Sequence, residues 1–199
     1  MKKHKSSILA RQNGVTLIEL IVVMAISVLL LLISGLGIGT FFRTYKELTA
    51  WTKLQQDALN CLNLIKNGVP VGTGTDTEYI GVTNAMTLEL TNTTTNVSTG
   101  LKVIPPSASD IYKFDNAHFY LYNGAVRCTY VHHGVQVASP IYIFPKEEDL
   151  DDIIIDKFLF TKVNPEPNVY VVQVELNARI KTGADRYEMV KFKTKMAKK

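Results

Sequence analysis

A single carboxylate, Glu19, stands inside an almost unbroken apolar run of 28 residues, from Val15 to Phe42. A helix crosses the hydrocarbon core of a bilayer with about 20 apolar residues, so this run is long enough to span one. An ionised side chain inside such a span costs a few kcal/mol, about 2.5–3.5 on insertion scales, so Glu19 needs a partner or a task. A secretory signal has an apolar region of only about 7–15 residues, followed by a small-residue cleavage site. Here the small residue, Gly14, comes before the run. A plain membrane anchor would account for the length but for neither Gly14 nor Glu19. Lys2, Lys3, Lys5 and Arg11 precede the span. That asymmetry predicts a cytoplasmic leader and a head outside the inner membrane, at the cell surface or in the periplasm.

Composition then separates into two parts. The chain has 22 basic and 18 acidic side chains and a net charge of +4, but four of the basic ones lie in residues 1–14. Without them the remainder carries 18 of each sign. The positive charge is therefore a topology signal and no argument for nucleic acid. Roughly 155 residues follow the span, enough for one domain with its own core.

The order Arg11-Gln-Asn-Gly14-Val15-Thr-Leu-Ile-Glu19, followed by the apolar run, resembles the class III signal of the type IV pilin and pseudopilin family. The likeness covers about 30 of the 199 residues, and its parts occur in the expected order. It implies cleavage after Gly14 by a prepilin peptidase, methylation of the new N-terminus at Val15, and a role for Glu19 in assembly with other pilin or pseudopilin subunits. Val15 stands where the family most often has Phe.

The helix is predicted to continue beyond the membrane. From Arg43 to Lys66 there is no Pro or Gly, and Leu48, Trp51, Leu54, Ala58, Cys61, Leu62 and Ile65 recur at steps of three and four as one stripe. Asn67-Gly68, then Pro70, is a stop signal. A helix from Val15 to Lys66 would be about 78 Å long. Gly35, Gly37 and Gly39 interrupt it, each at about 1 kcal/mol of helix propensity relative to Ala. Close small-residue packing, a bending site and ordinary glycine tolerance all remain open for them.

After Gly68 the period changes. Residues 68–78 read as a loop, Tyr79–Val82 and Met86–Thr91 as strands, and Thr91–Gly100 as a polar connection. Leu101–Ile104, Ala117–Tyr122, Ala125–Val131, Ile141–Phe144, Ile153–Val163, Val169–Ile180 and Arg186–Met196 are further predicted strands. Asn123-Gly124 predicts a primed hairpin turn. Val172, Val174, Leu176, Ala178 and Ile180 alternate with Gln173, Glu175, Asn177 and Arg179, which predicts one buried and one wet sheet face. The expected fold is α+β: a leader (1–14), a membrane-spanning or filament-core helix (15–42), its amphipathic continuation (43–67) and an antiparallel β-rich head (68–199). The order of helix, loop, hairpin 119–127 and two closing strands also resembles minor pilins of the W type and minor pseudopilins of the J type.

No catalytic constellation is present: no Gly-x-Ser-x-Gly, P-loop, His-Glu-x-x-His or Cys-x-x-Cys occurs. No cofactor is expected, and a membrane-anchored exported enzyme is a poor third reading. His132-His133-Gly134 reads as a turn, which makes the two histidines surface residues there; in a strand, adjacent residues would face opposite ways and could not easily share a metal. The acidic run Glu147–Asp152 offers oxygen ligands to calcium but lacks the spacing and glycine of a calcium loop, so it reads as solvated. Asn92 and Asn96 fit a glycosylation pattern that a bacterial subunit rarely uses. Lys191, Lys193 and Lys195 alternate with apolar residues as on a charged edge strand. The sharper alternative for them is DNA contact on a competence pilus, without an aromatic platform beyond Phe192. Cys61, on the helix stripe, and Cys128, in a strand, are either a disulfide pair, if their Cα atoms come within about 4.4–6.8 Å, or two small buried hydrophobes.

Overall fold

The computed structural model describes residues 16–72, 77–91, 96–107, 114–163, 171–183 and 185–199. Helix α1 covers Leu17–Asn67, 51 residues, within two residues of the expected ends. The chain divides into two compact units, one ending at Tyr45 and the other beginning at Lys46.

In the first unit the described chain is helix from Leu17 onward, and every residue from Thr16 to Tyr45 is exposed. Its most apolar stretch has a mean hydropathy of 2.9, and it is the one helix among the described residues long and apolar enough to cross a membrane. Two hydroxyls within it are satisfied locally. Ser27 Oγ donates to the Val23 carbonyl at 2.8 Å and Thr40 Oγ1 to that of Leu36 at 3.1 Å. These bonds to the preceding turn keep both donors paired, as a lipid surround requires. The helix runs unbroken through Gly35, Gly37 and Gly39, and a Cβ added at any of them would meet nothing within 4 Å.

In the second unit α1 becomes one-sided. Leu54, Ala58, Cys61, Leu62 and Ile65 are buried, as the stripe predicted, but Leu48 is 58% exposed and Trp51 37%. The covering core starts near Ala50, so Leu48 lies beyond its edge and Trp51 at its margin. The helix ends on Gly68, whose N–H donates to the Leu64 carbonyl at 2.9 Å and whose φ of +112° is open to glycine alone at little strain. A side chain there would also strike the backbone of Tyr79 and Ile80 at 2.8 Å.

Twelve strands follow: β1 (Val69–Val71), β2 (Glu78–Ile80), β3 (Thr87–Thr91), β4 (Val97–Ser98), β5 (Gly100–Ile104), β6 (Asn116–Tyr122), β7 (Ala125–His132), β8 (Val135–Gln136), β9 (Ile141–Phe144), β10 (Ile153–Lys162), β11 (Val171–Gly183) and β12 (Arg186–Ala197). Where one sheet was expected, the described residues form three, all antiparallel: the pair β1-β2, a four-stranded sheet in the order β12-β11-β10-β4, and a six-stranded sheet β3-β5-β6-β7-β8 with β9 also paired to β7. Two short strands, β1 and β4, lie in segments read as loop and polar connection, and β8 lies where no element was expected. The alternation along β11 holds: Val172, Val174, Leu176 and Ala178 are fully buried and Ile180 nearly so. One core joins the end of α1 to the sheets, with Phe119, Phe144, Phe158 and Phe160 its largest buried side chains. The architecture is α+β and pilin-like.

Candidate functional site

Gly14 and Val15 lie outside the described residues; Glu19 is the first member of the expected site that the structure places. It sits in the first turn of α1. Its Oε2 accepts from the Thr16 amide at 2.8 Å and from Thr16 Oγ1 at 3.0 Å, while its own N–H donates to Thr16 Oγ1 at 3.3 Å. This is a reciprocal capping box, which ties two otherwise orphaned backbone donors at the helix start. The carboxylate also sits at the positive end of the helix dipole. Thr16 was missed as a functional residue, although the spacing Thr-x-x-Glu ahead of an apolar run is its sequence signal. The amide it offers belongs to the Val15–Thr16 peptide bond, so cleavage after Gly14 would leave the box intact.

Behind this cap, eighteen large apolar side chains between Leu17 and Phe42 are exposed, most by more than half. Each would gain about 1.5–3 kcal/mol on full burial. That surface demands a cover of lipid or neighbouring helices.

The candidates on the head fall out differently. Cys61 and Cys128 are both buried and their thiols are free. Burial pushes the Cys61 thiol far up and the Cys128 thiol up to about 12, so neither forms a thiolate readily. The acidic run is not uniformly solvated. Residues Glu147–Asp149 form a 3₁₀ turn that buries Asp149, and Lys53 Nζ of α1 donates to Asp149 Oδ1 at 2.5 Å. That bond raises the Lys53 pKa above the ordinary lysine value.

Lys191, Lys193 and Lys195 are exposed along β12, an edge of the four-stranded sheet. Lys193 is engaged: its Nζ lies 2.8 Å from Glu175 Oε1 on β11, and Lys157 of β10 reaches the other carboxylate oxygen. Hydrogen bonds first from Lys157 and then from Lys193 hold the Glu175 carboxyl down at about 2. Asn92 lies outside the described residues.

The turn expected at the histidine pair is present, but His132 is buried where a surface residue was expected. His132 ends β7, but His133 and Gly134 form a two-residue turn into β8 with φ of +51° and +75°. Strand alternation stops at His132, and the two rings stack at 4.0 Å instead of facing apart. Asp115, buried just before β6, holds that turn: its carboxylate accepts from the amides of His133 at 2.8 Å and Gly134 at 2.9 Å.

The prokaryotic N-terminal methylation motif matches residues 9–35. No curated protein and no solved structure matches the chain. The motif and the long apolar helix together support a type IV pilin-like prepilin, with prepilin-type cleavage and methylation and a membrane-anchoring helix. They imply processing by a prepilin peptidase and assembly with other pilins, and they suggest a structural subunit in place of an enzyme.

Proposed function

We propose that this chain is a minor pilin or pseudopilin, cut after Gly14, methylated on Val15 and incorporated through its helix into a type IV pilus or a secretion pseudopilus. The leader stays cytoplasmic and the head lies outside. The observation that carries this reading is the coincidence of the methylation motif at residues 9–35 with a helix whose apolar surface is wholly uncovered from Leu17 to Phe42. A head anchored by an inert span would need the length but neither the motif nor the carboxylate in the first turn.

In the assembled state, Glu19 meets the positive α-amino group that cleavage creates on a neighbouring subunit's Val15. In a low-dielectric surround that attraction far exceeds its value in water. The Thr16 cap holds the carboxylate in place beforehand. DNA contact by Lys191, Lys193 and Lys195 lacks comparable support, since Lys193 is already paired with Glu175.

Mass spectrometry of the membrane-extracted protein tests the processing step. The expected N-terminus is methylated Val15, and Gly14→Val should leave the precursor uncut, because the added Cβ blocks close backbone approach at the scissile bond. An intact Met1 in the wild type, or a cut beyond Phe42, would overturn the reading.

A further inference from the structure

We infer that Glu78, His132 and His133 form a site for a divalent transition-metal ion that clasps β2 to the β7–β8 turn. The three residues come from two different sheets, yet their ligand atoms lie within 4.8 Å of one another. His132 is 9% exposed, and its Nε2 is buried without a hydrogen-bond partner. Glu78 Oε2 lies 3.9 Å from that nitrogen, too far for a hydrogen bond. A buried polar atom without a hydrogen-bond partner calls for an explanation, and service as a metal ligand is one.

The spacing suits that explanation. Two ligand atoms each about 2.0–2.1 Å from a tetrahedral ion stand about 3.3 Å apart, so an ion would draw the three groups together by an ångström or so. Glu78 is exposed and His133 only half-buried, so both can make that movement, while His132 is the fixed point. The scaffold is braced on the other side. Asp115 grips the amides of His133 and Gly134, so the left-handed turn that brings the second imidazole beside the first is itself anchored to a buried carboxylate. A cleft of about 180 Å³, bordered by Gly72, Tyr130, His132 and Val135, opens beside the His132 ring and leaves room for water as a further ligand.

The donor set selects the ion. Two imidazoles and one carboxylate suit zinc, cobalt, nickel or copper, whereas calcium and magnesium prefer oxygen alone. The site is distinct from the acidic run 147–152. Its effect would be a cross-link between the β1-β2 pair and the six-stranded sheet, made only when the ion is bound.

The test uses the full-length protein in detergent, stripped with a chelator and titrated separately with Zn²⁺ and Co²⁺. One ion should bind per chain, cobalt should show the visible absorption of a low-coordinate nitrogen and oxygen site, and zinc should raise the unfolding temperature. Excess Ca²⁺ or Mg²⁺ should not compete. His132→Gln risks misfolding because the ring is buried, so Glu78→Gln and His133→Gln carry the test. Each should weaken zinc binding by at least the about 10–100-fold that loss of a mere supporting group costs, while the metal-free unfolding temperature stays near that of the wild type. Zinc affinity unchanged in both variants, or displacement by calcium, would overturn the assignment and leave only an ion pair between His132 and Glu78.

Discussion

The two ends of α1 are made of the same regular helix and differ in almost everything else. From Leu17 to Phe42 the apolar residues occur on every side and none is buried; from Leu54 to Ile65 all but Leu59 gather on one side and are covered by the head's core. The contrast shows that apolar content and apolar periodicity report different things. Content says that a cover exists, and periodicity says whether the chain supplies it. An all-round apolar helix must be covered by something outside its own fold, and here that means lipid before assembly and other subunits after it. The two regions also use carboxylates differently. Glu19 is held by one residue of its own helix turn, whereas Glu175 is shared between lysines on both neighbouring strands.

The largest effect should come from Glu19. Glu19→Ala removes the charge and the cap together, while Glu19→Gln keeps an acceptor for the Thr16 amide and removes only the charge. Both variants should be processed and remain in the membrane, and both should be missing from sheared or cross-linked filaments. Normal incorporation of Glu19→Gln would transfer the role from charge to cap geometry.

Next come paired truncations in the two halves of the helix. Leu54→Ala should cost the head about 2–5 kcal/mol, as large-to-small changes in a filled core do. Leu30→Ala should leave head unfolding within about 0.5 kcal/mol of wild type. Denaturant titration in detergent, followed by the fluorescence of the single tryptophan, Trp51, compares them directly. Equal losses would mean that the two halves are not separately covered.

The smallest effect concerns Glu175. Its carboxyl is held below the usual glutamate value of about 4.3, so the stabilisation it adds is present above that range and fades as pH falls toward about 2. Wild type and Glu175→Gln should therefore differ modestly at pH 7 and converge in strong acid. Because Lys157 and Lys193 are exposed to solvent, added salt should also narrow the gap. A difference that grows on acidification would refute this account.

Much of this arrangement was legible in the sequence. The ends of α1, the Asn123-Gly124 hairpin and the long strands β10 to β12 follow from period and turn chemistry, which act over short distances. What escaped depends on partners far along the chain. Val97 and Ser98 are strand only because Thr161 and Phe160 pair with them, and Val69–Val71 because Glu78–Ile80 returns alongside. Leu48 and Trp51 keep the stripe's spacing, but spacing does not say where the cover begins. The turn at the histidine pair was legible from its Gly134, but the burial of His132 was not, because it depends on distant elements. Asp115, which shapes that turn, is separated from it by the whole β6–β7 hairpin and has no local signature. At the N-terminus, by contrast, Thr16 and Glu19 find each other within one turn, and the motif matched there extends over 9–35.

The four-stranded sheet ends on one side in the two-residue β4 and on the other in a strand with a lysine at 191, 193 and 195. The lysine border is a poor template for a second copy to zip onto, because it repels its own kind. Such a head tolerates crowding at this edge. Many copies can stand shoulder to shoulder at very high local concentration without fusing there by strand exchange. A membrane-anchored chain gains from that property wherever its copies gather: they can part again only if their folded parts never merged.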